Sequence, residues 1–205
     1  GAIAMTEPGA GSDLQGVRTA AIRDGNHYVV NGSKTYITNG QNADFVIVVA
    51  KTDPALGAKG ISLVIVEADR DGFSRGRNLD KIGQHSADTS ELFFADVRVP
   101  ITNCLGTEGQ GFAQLMNQLP QERLSICCSA MGAAQRGFDE AVAFVKGRAA
   151  FGKTIMDFQN TRFELASMKA KLQAGWAHLD WAINRHCEGK LLTYEASAAK
   201  LWFTE

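Results

Sequence analysis

One glutamate in the sequence has a setting that could support proton transfer. Glu122 lies in the run Leu119-Pro120-Gln121-Glu122-Arg123-Leu124, where a carboxylate able to accept a proton stands beside a fixed cation. Proline is favoured in the first turn of a helix, because its missing N–H needs no partner there. The run therefore predicts a helix start near Pro120. Two interpretations of Glu122 stay open: a catalytic base, or an acid that stabilises the positive end of the helix dipole.

A second stretch combines small residues with hydroxyls and could line a polar ligand. It runs Met5-Thr6-Glu7-Pro8-Gly9-Ala10-Gly11-Ser12-Asp13. Its glycines would let backbone N–H groups approach ligand oxygens, while Thr6 and Ser12 add hydroxyl groups. The stretch lacks the lysine of a P-loop and the glycine spacing of the dinucleotide fingerprint. A surface turn is the alternative interpretation.

A third candidate is the run Tyr36-Ile37-Thr38-Asn39-Gly40 at the end of a predicted strand. Residues two apart share one face of a strand, so the ring of Tyr36 could flank a flat heterocycle while Thr38 bonds its edge. The alternative is an ordinary sheet pair before a hairpin turn.

Arg148 lies in a connection that also holds Phe151-Gly152-Lys153 and Phe158-Gln159. Its guanidinium could bind a pyrophosphate, or it could satisfy the negative end of a helix dipole. Both interpretations stay open. The four histidines show no helical pairing and no cysteine stands at ligand spacing from them, so we predict no metal site.

The elements that would position these residues change in period along the chain. Glycine-containing turns at Asp24-Gly25, Asn31-Gly32, Asn39-Gly40 and Asp71-Gly72 separate predicted strands. Two of these strands are almost continuously apolar, which indicates cover on both faces and a compact β-barrel or sandwich. The predicted strands are Val17 to Ile22, His27 to Val30, Ser33 to Thr38, Phe45 to Lys51, Ile61 to Glu67 and Glu91 to Val97.

After Pro100 the apolar residues recur at helical spacing. We expect two long amphipathic helices, joined by Ala149 to Asp157 and packed as an antiparallel pair, with a third helix beginning near Tyr194. The predicted fold class is therefore α+β and multidomain. A β-barrel or sandwich domain over 1–108 precedes the first part of an antiparallel helical bundle over 109–205.

Composition excludes several classes of partner. Lys and Arg number 21 against 22 Asp and Glu, which argues against a nucleic-acid-binding surface. No apolar run approaches the roughly 20 residues that span a bilayer, and we see no signal peptide. Both chain ends read as cut. The four cysteines lack CxxC spacing, and we expect buried free thiols in a reducing compartment.

Taken together, these motifs resemble the acyl-CoA dehydrogenase family of flavoproteins. Met-Thr-Glu-Pro-Gly-Ala-Gly-Ser-Asp at 5 to 13, Tyr-Ile-Thr-Asn-Gly at 36 to 40, and Phe-Gly-Lys followed by Phe-Gln between 151 and 159 stand in family order and spacing. The resemblance implies a middle β domain followed by part of the C-terminal helical domain. Pro-Gln-Glu-Arg-Leu at 120 to 124 looks most like the long-chain branch of that family.

The resemblance also implies residue roles. The cofactor is FAD, with contacts from the loop residues Ile3, Met5, Thr6, Gly11 and Ser12, from the strand residues Tyr36, Ile37 and Thr38, and, toward a neighbouring subunit, from Arg148 and Gln159. The family often has tryptophan where this chain has Tyr36. The acyl-CoA substrate would contact Ser12, Pro120, Gln121 and Arg123, and the resemblance favours Glu122 as the base.

The activity so implied is dehydrogenation of a saturated, long-chain acyl-CoA to the trans-2-enoyl-CoA in fatty acid β-oxidation. The partners would be an electron-transfer flavoprotein and three further copies in a dimer of dimers, located in the cytoplasm of a bacterium or the mitochondrial matrix of a eukaryote. We expect the 205-residue chain alone to be inactive. Two alternatives stay open: an acyl-CoA oxidase of the same fold, and a non-catalytic acyl-CoA-binding or assembly module.

Overall fold

The computed structural model describes all residues from 1 to 205, and the chain forms two compact units. The first comprises Gly1–Leu115 and the second Met116–Glu205. We call them the β unit and the helical unit. The predicted α+β class, with a β domain before a helical domain, is confirmed.

The β unit is one curled sheet of seven strands with the spatial order β1-β4-β2-β3-β7-β6, and β5 pairs with β4. Most neighbouring strands are antiparallel, whereas β1 and β2 pair with β4 in parallel. The strands are β1 (Ala2–Ala4), β2 (Ala20–Asp24), β3 (His27–Thr38), β4 (Phe45–Lys51), β5 (Ile61–Glu67), β6 (Phe73–Asn78) and β7 (Thr89–Pro100). Short 3-10 turns lie at Leu14–Gly16, Pro54–Gly60 and Ile101–Asn103.

The core of the β unit is built from side chains that alternate along these strands, as the period-2 pattern requires. Tyr28 and Val30 of β3 face Val97 and Val99 of β7 in this core. In β4 and β5, successive residues such as Val48 and Val49 are both buried, so the two continuous apolar runs are covered on both faces as predicted.

The prediction of a turn at Asn31-Gly32 is wrong. β3 continues through these residues as a single strand, with a register shift against β7 between Val30 and Gly32. Gly32 allows the backbone of β3 to lie close to Thr19, because a Cβ at this position would lie 2.7 Å from the Cβ of Thr19. The predicted turns Asn39-Gly40 and Asp71-Gly72 lie between strands as expected, and the turn predicted at Asp24-Gly25 begins on the last residue of β2.

The helical unit contains two long helices and one shorter one. They are α1 (Gly111–Gly147), whose first turn belongs to the β unit, α2 (Gln159–Cys187) and α3 (Thr193–Thr204). A small hairpin of β8 (Ala149–Ala150) and β9 (Lys153–Thr154) and a 3-10 turn at Ile155–Asp157 join α1 to α2.

The contacts between α1 and α2 run in opposite directions, which confirms the predicted antiparallel pair. A Cβ on Gly175 would touch the sulfur of Met131, and Trp176 donates to the side chain of Gln135 at 3.1 Å. One turn further along α1, Phe138 lies beneath the ammonium of Lys169. The shared core comprises Cys127, Met131, Leu172, Leu179 and Ala199, with Phe138, Ile183 and Phe203 packed against it.

The prediction that Pro120 opens a helix is wrong, because α1 begins at Gly111 and Pro120 lies inside it. The apolar helical spacing extends upstream through Phe112, Leu115 and Met116, so tertiary packing favours helix on both sides of the proline. Inside a helix, proline removes the N–H that would bond the carbonyl four residues earlier, here that of Met116. Glu122 therefore lies about three turns from the helix start, beyond the reach of the helix dipole.

Two further predictions, on membrane spans and on the cysteines, can be compared with the structure. No helix in the chain combines the length and apolar character needed to cross a bilayer. The four cysteines are unpaired, but only Cys127 is buried, whereas Cys128 and Cys187 are exposed. Burial of these two thiols was predicted wrongly, because helical spacing near apolar residues does not fix which face they occupy.

Candidate functional site

The loop after β1 carries the first motif and is held by a tight turn. Glu7 and Ala10 exchange two backbone hydrogen bonds of 2.9 and 3.2 Å, which closes the turn around Pro8 and Gly9. The carboxylate of Asp13 then accepts the N–H of Gln15 at 3.2 Å and starts the 3-10 turn that follows. Gly11 and Ser12 are exposed at the surface of this loop.

The end of β3 carries the second motif and departs from regular strand geometry. Tyr36 has a backbone φ of 59°, in the left-handed region, and its side chain is 68% exposed. Ile37 is buried in the core at 2% exposure, and Thr38 is again exposed. A positive φ is costly for a bulky residue, and Tyr36 lies within the register shift of β3 against β7 between Lys34 and Ile37.

The structure brings these two motifs together. The N–H of Thr35 donates to the carbonyl of Thr6 at 2.9 Å, which docks the loop against β3. Ile3 lies in β1, and Met5 follows it as the strand gives way to the loop. Directly after Thr38, the side chain of Asn39 donates a hydrogen bond to the carbonyl of Gly1 at 3.0 Å. The loop of the first motif therefore lies against the end of β3, where Tyr36 and Thr38 are exposed and Ile37 is buried.

Two charged residues beneath this region were not predicted as part of it. Lys34 and Glu7 form an ion pair of 2.9 Å with side chains 0% and 6% exposed. Burial lowers the pKa of Lys34. Burial opposes the ionised form of Glu7, but hydrogen bonds from Thr19, Arg18 and Lys34 outweigh it and hold the pKa of Glu7 below its usual value.

The predicted catalytic segment lies in the helical unit, on α1. Gln121 and Glu122 are exposed and Pro120 is half-buried. Arg123 is half-buried, and its Nη1 atom is shielded from solvent without a hydrogen-bond partner. A buried guanidinium N–H without a partner is costly, so this atom marks a place where a polar acceptor would be stabilised.

Arg148 and Gln159 flank the hairpin between α1 and α2. The backbone of Arg148 is fixed by its N–H to Phe144, at 2.9 Å, and by the N–H of Ile155 to its carbonyl, at 2.8 Å. The guanidinium is exposed and forms no ion pair, and Gln159 is exposed at the start of α2. Next to them, Phe151 is 95% exposed on a backbone φ of 53°.

The exposed residues of the β unit fit a flat ring system of the kind that FAD carries. An exposed aromatic ring beside an exposed hydroxyl can cover a planar ring system, and a Cβ built on Gly9 or Gly11 would meet no atom within 4 Å, which leaves the backbone open to a ligand. No group of three or more His, Cys, Asp or Glu side chains is arranged to hold a metal ion.

Comparison with known proteins accounts for nearly the whole chain. The model of the acyl-CoA dehydrogenase middle domain matches residues 2–97, and that of the acyl-CoA dehydrogenase C-terminal domain matches residues 109–205. The mitochondrial long-chain specific acyl-CoA dehydrogenase of Sus scrofa is 49% identical over 207 residues, which cover 100% of this chain and 48% of that protein. The short-chain specific acyl-CoA dehydrogenase of Megasphaera elsdenii is 42% identical, covering 98% of this chain and 52% of that protein.

A solved structure agrees with these relatives. The acyl-CoA dehydrogenase from Geobacillus kaustophilus superimposes with a TM-score of 0.96 at 50% identity, covering 99% of this chain and 54% of that one. The chain thus spans about half the length of the curated relatives it matches. Two domain models in family order, an identity near one half and the shared fold all agree: the chain belongs to the acyl-CoA dehydrogenase family.

Proposed function

We propose that this chain is part of an FAD-dependent acyl-CoA dehydrogenase that converts saturated, long-chain acyl-CoA thioesters to trans-2-enoyl-CoA in fatty acid β-oxidation. One observation carries the proposal. The hydrogen bond from Thr35 to Thr6 joins two family motifs into one surface, on which Tyr36 and Thr38 are exposed for a planar ligand. The 49% identity to a long-chain enzyme supports the substrate class.

The β unit would bind the cofactor. Tyr36 and Thr38 would cover one face of the isoalloxazine ring, with Ile37 anchoring this strand end in the core. The loop residues Ile3, Met5, Thr6, Gly11 and Ser12 would contact the flavin and its ribityl chain, and Ser12 would also touch the CoA portion of the substrate. Residues 1–108 are thereby proposed as the domain that binds flavin and acyl-CoA.

The α1 segment would supply the proton-transfer group. Glu122 would accept the α-proton of the thioester on a carboxylate oxygen. Arg123, Gln121 and Pro120 would line the substrate beside it, and the unpartnered Nη1 atom of Arg123 would gain an acceptor. When bound, FAD supplies the acceptor for the hydride that leaves the β-carbon.

The remaining proposed partners follow from the hairpin region. Arg148 and Gln159, both exposed, would reach the FAD of a neighbouring subunit, so the assembly would be a tetramer built as a dimer of dimers. Electrons would pass to an electron-transfer flavoprotein. The location would be the cytoplasm in a bacterium or the mitochondrial matrix in a eukaryote.

The decisive experiment is anaerobic bleaching of the flavin absorbance by palmitoyl-CoA, with butyryl-CoA as the chain-length comparison. The full-length protein is used, because this chain spans about half of its relatives. Glu122→Gln should slow bleaching by about 100- to 10,000-fold, the usual worth of a general base. The matched control is Glu140→Gln, which removes another exposed glutamate of α1, paired with Arg136 at 2.7 Å, and should bleach at the normal rate.

Four results would contradict parts of the proposal. If Glu122→Gln bleaches the flavin at the normal rate, Glu122 is an ordinary solvent-exposed residue of α1 and the catalytic base is a different residue. Faster bleaching by butyryl-CoA than by palmitoyl-CoA would exclude the long-chain assignment. Rapid oxygen consumption on addition of acyl-CoA would identify an acyl-CoA oxidase. A full-length protein that takes up no flavin would be a non-catalytic acyl-CoA-binding module.

A further inference from the structure

The Glu7–Lys34 ion pair lies beneath the proposed flavin surface, and its side chains form a hydrogen bond to one residue with an assigned ligand role, Met5. Lysine has three ammonium donors and no acceptor. All three find partners: the carbonyl oxygen of Met5 at 2.9 Å, the carbonyl oxygen of Val49 at 2.7 Å and the carboxylate of Glu7 at 2.9 Å. Lys34 thus connects β3 to β4 and to the start of the motif loop.

Glu7 is equally well satisfied from the other side. One carboxylate oxygen accepts the N–H of Thr19 at 2.9 Å together with Lys34, and the other accepts the N–H of Arg18 at 2.6 Å. These two N–H groups lie just before β2, beyond the loop and the 3-10 turn at Leu14–Gly16. A single carboxylate therefore joins the beginning of the loop to the residues that lead into β2.

Stability alone does not account for this pair. Taking two charges out of water is costly, and apolar residues of similar volume often give equal or greater stability in such positions. What a fully bonded pair adds is a fixed arrangement of the groups that it joins. The four peptide groups joined here belong to Met5, Arg18, Thr19 and Val49.

The tip of the loop has one buried residue, Ala10, at 5% exposure, and exposed residues around it. Gly9, Gly11 and Ser12 are exposed, and added Cβ atoms on the two glycines would meet nothing within 4 Å. Two backbone hydrogen bonds tie the buried Ala10 to Glu7, so the order of the tip depends on the position of Glu7 as well as on the burial of Ala10. Any movement of Glu7 would carry this turn, and the exposed residues beyond it, with it.

We propose that the buried Glu7–Lys34 pair is a positioning device that holds the Met5–Ser12 loop in the conformation that receives the flavin. Both are positioning residues, since neither side chain is exposed to a ligand. The inference rests on the proposed flavin site for its purpose, but the ordering of the loop is measurable without flavin.

The test uses Glu7→Gln and Lys34→Met in the full-length protein, each close in shape to the residue replaced. Glu7→Gln is the milder change, because its amide oxygen can still accept from Thr19 and Lys34. The control is Val97→Ala, a truncation in the core of β7, a strand that does not pair with β1. It lowers folding stability without touching the pair, so thermal midpoints show how much of any effect is general destabilisation.

Two measurements are made on each variant. Amide hydrogen exchange of the flavin-free protein follows the N–H groups of Thr35, Ala10 and Thr19, which report loop docking, the turn and the carboxylate bond. Flavin affinity follows from titration of the same protein with FAD. We expect both pair variants to exchange at least tenfold faster at these amides and to bind FAD at least tenfold more weakly. Val97→Ala should change either quantity by less than twofold.

The inference would be overturned if the amide exchange rates of Glu7→Gln equalled those of the unmodified protein. It would also be overturned if Val97→Ala, compared at the same thermal midpoint, changed exchange and FAD affinity as much as the pair variants do. Faster exchange with unchanged FAD affinity would also overturn it, because an ordered loop would then be irrelevant to the flavin. If the unmodified protein takes up no FAD, the proposed function fails, while the exchange data still decide whether the pair orders the loop. Should Lys34→Met not fold, Glu7→Gln gives the answer alone.

Discussion

Replacing Tyr36 by alanine should separate flavin binding from folding. Tyr36 is 68% exposed and sits at a φ of 59°, so its side chain contributes little to the core while its backbone is strained. Alanine also carries a Cβ, so the strain stays and only the ring is lost. The substitution therefore removes the proposed stacking surface with little other change.

The folding cost follows from the buried fraction of the ring. A tyrosine side chain can bury about 200 Å², and roughly a third of it is covered here. At about 25 cal/mol per Å² the truncation costs at most ~1.6 kcal/mol, and less because part of that surface is polar.

The binding cost follows from the exposed fraction. Covering one face of the ring would remove roughly 70 Å² from water, worth about 1.7 kcal/mol, and aromatic stacking adds about 0.5 to 1.5 kcal/mol. The total of about 2 to 3 kcal/mol corresponds to a loss of FAD affinity of roughly 30- to 150-fold.

The assay is FAD titration of the full-length protein by flavin fluorescence, with thermal unfolding of the flavin-free form. Tyr194→Ala is the matched control, because Tyr194 is also 68% exposed but lies in α3. Both variants should unfold within a few degrees of the unmodified protein, and only Tyr36→Ala should lose affinity. Equal affinities in the two variants would refute the stacking role of Tyr36.

Two further predictions concern the β unit itself. Gly32→Ala should destabilise it by about 1 to 3 kcal/mol in urea unfolding, because the new Cβ would lie 2.8 Å from the Cα of Thr19, whereas Gly83→Ala, in open space, should be neutral. A hydrogen bond from Arg70 lowers the pKa of Glu67 to about 2 from 4.5. The ionised carboxylate of Glu67 therefore makes its full contribution to folding stability above pH 4.5, and this contribution is lost as the pH falls toward 2. Since the Glu67 side chain is 39% exposed, Glu67→Gln should cost no more than about 1 kcal/mol at pH 7, and this difference should disappear over that pH range; a difference that persists at pH 2 would contradict the assignment.

The strands that could be predicted best are those with strong apolar runs. β4 and β5 have the predicted bounds, Phe45–Lys51 and Ile61–Glu67, because β-branched residues fill them and polar or glycine-containing segments flank them. β1 and β6 gave no such signal. β1 has only three residues, and β6 is an edge strand with two arginines and a glycine that pairs only with β7.

The two misjudged segments share a physical cause. Asn31-Gly32 and Pro120 are strong local signals for a turn and a helix start, but long-range packing of β3 and α1 overrides both. Local propensity therefore failed where an element was long and its partners were distant in sequence.

The buried pair could have been found from alternation. In β3, Tyr28, Val30 and Lys34 are buried at positions of the same parity. A lysine in register with core residues requires an acid as partner. Which acid it finds could not be read from the sequence, because Glu7 lies 27 residues away and reaches it only through the fold. The geometry of the surface formed by the Met5–Ser12 loop and the end of β3 could not be predicted for the same reason.

The pairing of β3 with β7 also sets an order of events during synthesis. His27 pairs with Pro100, and the two strands remain neighbours up to the pairing of Thr38 with Thr89. While the chain is still emerging from the ribosome, β3 can pair with β2, but its other edge has no partner until β7 has been made. That open edge is a template for pairing with other chains, so the nascent β unit is most prone to aggregate in the interval between translation of residue 38 and translation of residue 100.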